Sequence, residues 1–470
     1  MPALPRSSRA AFALALALLA TSPARAVAPF TLELVDSNPL GSVGESSSMK
    51  VDHLGHPHIA YYDAVNGNLK YASHDGANWI VETADGSPED VGEFCALALD
   101  SLDRPYIAYY DDTHQRLMYT AKLGAAWTRE IADTASFDCG WYPTIAIDRT
   151  GRAWIASYDR GAGNPRVSVR NPGGGWTGQY LDTTFALSGF YASIAIDPGG
   201  TPHVGYYDLS GKKLVYATQR RSGPNLVWVQ ETADSSADDV GIFSSLAVDR
   251  FGRVEVAYMD LTTADLKWAI RDPVSGHWSR AFVHSGIDEV GYNCSLAIDP
   301  IGYPLISYHN GTAGTLMLAR RDAGGWHRQT VDDSPGIVGL YSSVGTNAQG
   351  DYRISYWDGS ARTLKFAWGP SVVLTGVPPV TIAAPRLSVA PNPARAGARV
   401  RFLVGDPDVA SVEVMDIAGR RVAKLALGSD HAAEWDQRGD GGALPPGVYL
   451  ARARYRDGSH GAMTRLILIR

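Results

Sequence analysis

The chain has 470 residues, too many for one ordinary core, so several domains or a repeat array is expected. Its 49 Gly, 27 Pro, 23 Tyr and 12 Trp, with no long charge-patterned helical stretch, point to a turn-rich all-β chain. The formal net charge of −7, without a Lys/Arg cluster, argues against nucleic acid or an anionic membrane as partner.

Residues 1–26 read as a secretory signal peptide: a basic start `MPALPRSSR`, the apolar run `AAFALALALLA`, and Ala24-Arg25-Ala26 as the cleavage pattern. That run is too short to anchor the chain as a membrane span, and no other stretch competes. A mature chain without Arg6, Arg9 and Arg25 carries −10, and is expected to be exported with no membrane span. Three cysteines are an odd number for an oxidising compartment, and none has the CxxC spacing of a zinc site. Cys95 and Cys139 lie in neighbouring copies of one loop and are placed to pair, with Cys294 left over; alternatively all three are small buried hydrophobes.

From residue 30 a unit of 48 to 52 residues repeats. Trp79, Trp127, Trp176, Trp228, Trp278 and Trp326 mark it, with an acidic slot six residues on: Asp85, Asp133, Asp182, Asp234, then His284 as the exception, then Asp332. A Gly follows (Gly92, Gly140, Gly189, Gly241, Gly291, Gly339), then an Asp, or Asn347, that opens a tight turn. The first copy is only a tail: Phe30 stands in the Trp slot and Asp36 in the acidic one. The last copy, residues 343–369, holds three strands and stops before any Trp strand. The two fragments complete one unit, so Thr31–Val35 is expected alongside Thr363–Trp368. Four short strands per unit make a β-propeller blade, and a shared blade leaves no open edge. The expected fold is therefore an all-β, seven-bladed propeller over 29–369, closed by an N-terminal strand. First strands such as Leu97-Ala98-Leu99 are apolar on both faces, as doubly covered strands require. Length varies only in the turn between strands three and four, so function is sought on the opposite face, which carries the two-to-three and four-to-one loops.

After an apolar, Pro-containing linker, 370–385, alternating runs such as Val412-Glu413-Val414 indicate a small β-sandwich over 386–470. `PNPARAG`, `VEVMDIAGRRVAKL`, `WDQRGDGGALPPGVYLARA` and `RLILIR` resemble the C-terminal sorting domain of type IX secretion cargo and the Ig-like domain of flagellar hook-capping proteins. The resemblance implies an Ig-like sorting or attachment module that engages export machinery. The propeller rhythm is similar to NHL-type and sialidase-like repeats, although the sialidase Asp-box is absent.

Chemistry is sought first at the strand-two aspartates Asp63, Asp111, Asp159, Asp208, Asp260 and Asp358, which follow aromatic residues such as Tyr61-Tyr62. A carboxylate beside an aromatic plane is how proteins hold sugars; the competing reading is that each Asp caps its own loop. Acid pairs in the four-to-one loops lack a calcium-loop spacing, and no cofactor or metal is indicated. Aromatics after the loop Gly, Tyr142 and Tyr191 among them, are expected near the channel mouth. Positions where the repeat breaks, Trp141, His284, Asn293 and His309, complete the candidate ligand-binding set, because a site used once breaks the symmetry once. There is no `GxSxG`, `HExxH` or phosphate loop, and no catalytic residue is assigned. The sequence points to a secreted or cell-surface protein that binds an extracellular glycan or protein ligand. An extracellular glycoside hydrolase or lyase, and a structural envelope or adhesion protein, are the alternatives.

Overall fold

A computed structural model describes residues 30–183, 187–371, 387–390, 394–404, 409–416, 420–428, 432–439, 442–455 and 460–469. The expected leader, and the linker beyond residue 371, fall outside these. The described residues contain no helix, and so none long and apolar enough to cross a membrane. Contacts divide the chain into two units, Met1–Val372 and Val373–Arg470.

The first unit is a β-propeller repeat: its described residues form seven four-stranded antiparallel sheets, six of them from consecutive strands. The seventh combines Val338–Thr346, Tyr352–Asp358 and Thr363–Gly369 with Thr31–Asp36 from the far end of the chain. In that pair Thr31 lies opposite Trp368 and Leu34 opposite Lys365. The innermost strands (Val43–Val51, Val91–Leu99, Cys139–Ile147, Ser188–Ile196, Val240–Val248, Val290–Ile298 and Val338–Thr346) each touch the next, and the last touches the first.

No single core holds this unit. Apolar side chains of each sheet pack against those of its neighbour, so there are seven smaller cores between sheets. Ala60, Leu69 and Tyr71 of the first sheet meet Leu97, Ile107 and Tyr109 of the second. Val43 and Ile59 of the first meet Leu364 and Phe366 of the seventh, which seals the circle. This is why the second strands are apolar on both faces: Pro105–Asp111 is buried at every position.

The markers of the repeat have physical causes. The loop glycines have φ from 95° to 119°, and at Gly140 a Cβ would lie 2.7 Å from the Leu117 Cα. The marker indoles reach back to the preceding sheet: Trp79 Nε1 donates to Glu33 at 3.0 Å, and Trp278 Nε1 to Glu231 at 2.8 Å. At four of the seven junctions the acidic slot accepts from a buried tyrosine one sheet on, with Tyr61 to Asp36, Tyr109 to Asp85 and Tyr356 to Asp332 at 2.6 Å and Tyr258 to Asp234 at 2.7 Å, whereas Asp133 accepts from Arg166 and Ser168. Burial pushes the Asp85 carboxyl up, but the Tyr109 hydroxyl, the Ser87 amide and hydroxyl, and Arg129 outweigh it and hold the group below its ordinary value.

In the second unit a three-stranded sheet (Ser388–Ala390, Val400–Leu403, Ala432–Trp435) and a five-stranded one share a core that includes Phe402, Val412, Val414, Trp435 and Ala451. The alternation in Val400–Leu403 places Val400 and Phe402 inside and Arg401 and Leu403 outside.

Candidate functional site

Every innermost strand begins with a bulge. Its Gly is followed by one ordinary residue and then by a non-glycine residue in the left-handed region. Ser46, Phe94, Tyr142, Tyr191, Phe243, Asn293 and Tyr341 occupy this position, with φ between 48° and 55°. Pairing shifts register twice there, as at Val91/Glu93 and Glu93/Ala96. A side chain in this conformation costs about 1–2 kcal/mol. Seven at equivalent positions turn seven side chains toward the axis and make a common feature of the ring.

Those seven residues line one cavity of about 400 Å³. Four aromatics form an arc across successive sheets: Phe94 to Tyr142 at 4.5 Å between ring centroids, Tyr142 to Tyr191 at 4.8 Å, and Tyr191 to Phe243 at 4.7 Å. Tyr341 lies between the two polar members, Ser46 and Asn293, in ring order. Burial lifts the Tyr142 and Tyr191 hydroxyls above their usual range, so both remain neutral donors at physiological pH.

The floor is stitched from sheet to sheet. Ser47 Oγ donates to the Tyr341 carbonyl at 2.8 Å and Ser244 Oγ to that of Tyr191 at 2.7 Å. Cys95 Sγ donates to the Ser46 carbonyl at 3.1 Å and Cys294 Sγ to that of Phe243 at 3.0 Å. The cysteines thus fill hydroxyl slots. All three, Cys139 included, are free and buried, so Cys95 and Cys139 do not pair. Burial raises the Cys294 thiol to about 12, which leaves it an inert donor.

The structure separates the residues singled out from the sequence. Tyr142, Tyr191 and Asn293 line the cavity. Trp141 stands beside it, its ring 5.4 Å from Phe94, its Nε1 donating to Asp138 at 2.6 Å, and the Arg160 guanidinium 4.8 Å above it. The six strand-two aspartates lie elsewhere, buried beneath the two-to-three loops. Asp63 accepts from the Val65 amide at 3.1 Å, Asp111 from His114 at 2.9 Å, and Asp159 from Ala162 at 3.0 Å. Asp208 accepts from the Ser210 amide at 3.1 Å, Asp260 from Thr262 at 3.0 Å, and Asp358 from Ala361 at 2.8 Å. These carboxylates cap loops. The histidines lie between sheets. His284 takes the acidic slot and meets the Tyr308 hydroxyl at 2.9 Å, and His309 Nδ1 lies 2.8 Å from the Val338 carbonyl. Burial lowers both imidazoles below their ordinary value, so they are neutral near pH 7. A break in the repeat here marks a substitution within the scaffold.

Apart from Trp141, the residue between the bulge Gly and the ring position escaped the sequence reading. It runs Glu45, Glu93, Trp141, Phe190, Ile242, Tyr292, Leu340: two acids followed by five uncharged residues, all partly exposed on the same face. Its signal was present in `VGE` twice and then `CGW`, `SGF`, `VGI`, `VGY` and `VGL`. The described residues contain no cluster of His, Cys, Asp or Glu able to hold a metal ion.

No family model matches the chain, and no curated protein matches it. Among solved structures, PorZ of Porphyromonas gingivalis, described as an essential bacterial surface component of the type-IX secretion system, is similar at 16% identity and TM-score 0.46. That likeness covers 90% of this chain, which spans only 59% of the PorZ chain. YCF48 bound to D1 peptide is similar at 14% identity and TM-score 0.48, over 75% of this chain and 100% of that one. YCF48 from Cyanidioschyzon merolae gives 12% and 0.47, over 73% and 99%.

Proposed function

We propose that this is a secreted or cell-surface binding protein, without catalytic activity, that takes an extracellular ligand at the aromatic aperture of a seven-bladed propeller. Residues 29–369 form the propeller and 1–26 a cleaved leader. Residues 370–385 link it to an Ig-like sandwich, 386–470, that serves sorting or attachment. The observation that carries the reading is the ring of seven left-handed residues, five of them aromatic, around one cavity. Backbone strain at equivalent places in every sheet holds five aromatic side chains around the common cavity, an arrangement suited to apolar contact with a ligand. The six strand-two carboxylates, the first candidates for a hydrolase or lyase, are instead committed to loop amides.

The test is binding by the full mature chain to an array of glycans and to a displayed peptide library, with a Tyr142→Ala/Tyr191→Ala variant alongside. Specific binding that the variant loses by about tenfold or more supports the reading. Binding untouched by the variant, or none to either array, overturns it. Removal of 386–470 is expected to stop the protein from reaching the cell exterior or surface in its own host.

A further inference from the structure

The aperture is not symmetric in charge. On the first two sheets the residue beside the ring position is Glu45 or Glu93; on the other five it is uncharged. Glu93 is partly buried, and every charge that bears on it is negative: Asp112, Asp90 and Glu45. Asp90 is held by the Tyr62 hydroxyl at 2.7 Å, but the Glu93 carboxylate meets no internal donor among the described residues. Glu45 and Glu93 each directly precede a lining residue, Ser46 and Phe94, and are partly exposed beside the cavity without lining it; at the equivalent position one sheet on, the Trp141 ring stands 5.4 Å from Phe94 and 5.8 Å from Tyr142. The field of Arg160 also reaches Tyr142, but its guanidinium is already paired with Asp138 at 2.8 Å over the Trp141 ring.

An aromatic-lined cavity with an uncompensated carboxylate at its edge favours a cation. The ring faces attract positive charge and the carboxylate supplies the counter-ion. A neutral sugar would leave Glu93 facing only like charges. The surrounding surface adds a second constraint. On the same face the four-to-one loops expose Leu40 at 85%, Phe137 at 78%, Ile287 at 99% and Ile337 at 51%. Apolar tips around an aromatic cavity with a charged edge suit a protein surface better than a glycan.

We infer that the aperture receives a lysine or arginine side chain from a protein segment, with the aromatic arc around the cation and Glu93, backed by Glu45, as its counter-charge. This rests on the binding reading above and narrows its ligand class.

A random peptide library is displayed against the immobilised full chain. The inference expects enriched peptides with an excess of Lys or Arg over Asp and Glu. For an enriched peptide, replacing its basic residue by norleucine or citrulline should weaken binding about tenfold or more. Glu93→Gln should do the same, and added salt should weaken the wild type more than this variant. Glu93→Gln is expected to fold normally, since no internal hydrogen bond is lost, and its melting temperature checks this. Glu45→Gln provides a second variant with a smaller loss. Neutral or acidic peptides bound as well as basic ones, or Glu93→Gln binding like wild type, would overturn the inference. Glycan binding that is lost in Tyr142→Ala/Tyr191→Ala but kept in Glu93→Gln would sink the charge assignment and leave the aperture reading standing. Binding indifferent to all these substitutions would sink both.

Discussion

The rim of the aperture and the seams between sheets are built from the same repeat, yet they treat variation in opposite ways. At the seams the chemistry is kept even where one partner changes: Tyr109 meets Asp85, Tyr258 meets Asp234 and Tyr356 meets Asp332, the bond to Tyr308 remains where His284 replaces the acid, and Arg166 and Ser168 meet Asp133 where Ser157 replaces the tyrosine. At the rim the backbone recurs while the side chains differ, from Ser46 through Phe94 to Asn293. Side chains repeated in every sheet answer a need that every sheet has. A repeated conformation with changing side chains frees those positions for recognition.

Substitutions at the seams and at the rim are therefore expected to separate stability from binding. Asp85→Ala should have the largest effect, because it leaves the Tyr109 hydroxyl and Arg129 without their buried partner. A loss of roughly 2–4 kcal/mol is expected in denaturant unfolding, with ligand affinity unchanged below the transition.

Nearly as large, and of opposite sign, is Glu255→Gln. Glu255 is 1% exposed and accepts from Trp268 Nε1 at 2.9 Å. Burial raises its carboxyl to about 7 from 4.5, against the Trp268 hydrogen bond. A raised acid binds its proton more tightly folded than unfolded. Its contribution is full below about 4.5 and lost as pH rises through 7. Relative to wild type, Glu255→Gln should gain up to about 3 kcal/mol at pH 8 and almost nothing near pH 4.5. Thermal melts of both proteins across that range test it, and a difference independent of pH would contradict the assignment.

Tyr191→Ala sharpens the other side of the contrast. It removes contacts with Tyr142 and Phe243 at one side of the cavity, at a stability cost of about 1–2 kcal/mol, while ligand binding falls about tenfold or more. Cys294→Ser should be the mildest. The equivalent Ser244 already donates to the preceding sheet's carbonyl, so stability should move by less than about 1 kcal/mol.

Much of the architecture was legible because its markers have steric and hydrogen-bonding causes. Trp79, Gly92 and Asp100 keep register since an indole must reach an acid, a Cβ would strike the Leu69 backbone, and a turn needs its cap. The orphan Phe30-to-Asp36 segment was readable for the same reason. The site was less legible. The aspartates stood out by recurrence, and recurrence proved to track loop capping. The left-handed conformation of Phe94 or Tyr142 has no side-chain signature, because such geometry is anticipated for Gly, Asn or Asp and not for aromatics. The pairing of Cys95 with Cys139 was read from loop position alone. Strand register puts Cys139 at the very start of its strand and Cys95 four residues further along its own.

The strand Thr31–Asp36 is among the first parts of the folded unit to be synthesised, and its partner Thr363–Gly369 is the last. A ribosome adding residues in order makes the bolt long before the socket. Until the whole span has emerged, the exposed flanks of the first and last completed sheets have nothing to close against. Such a chain stays an open string and curls shut only when its two extremities first come within reach.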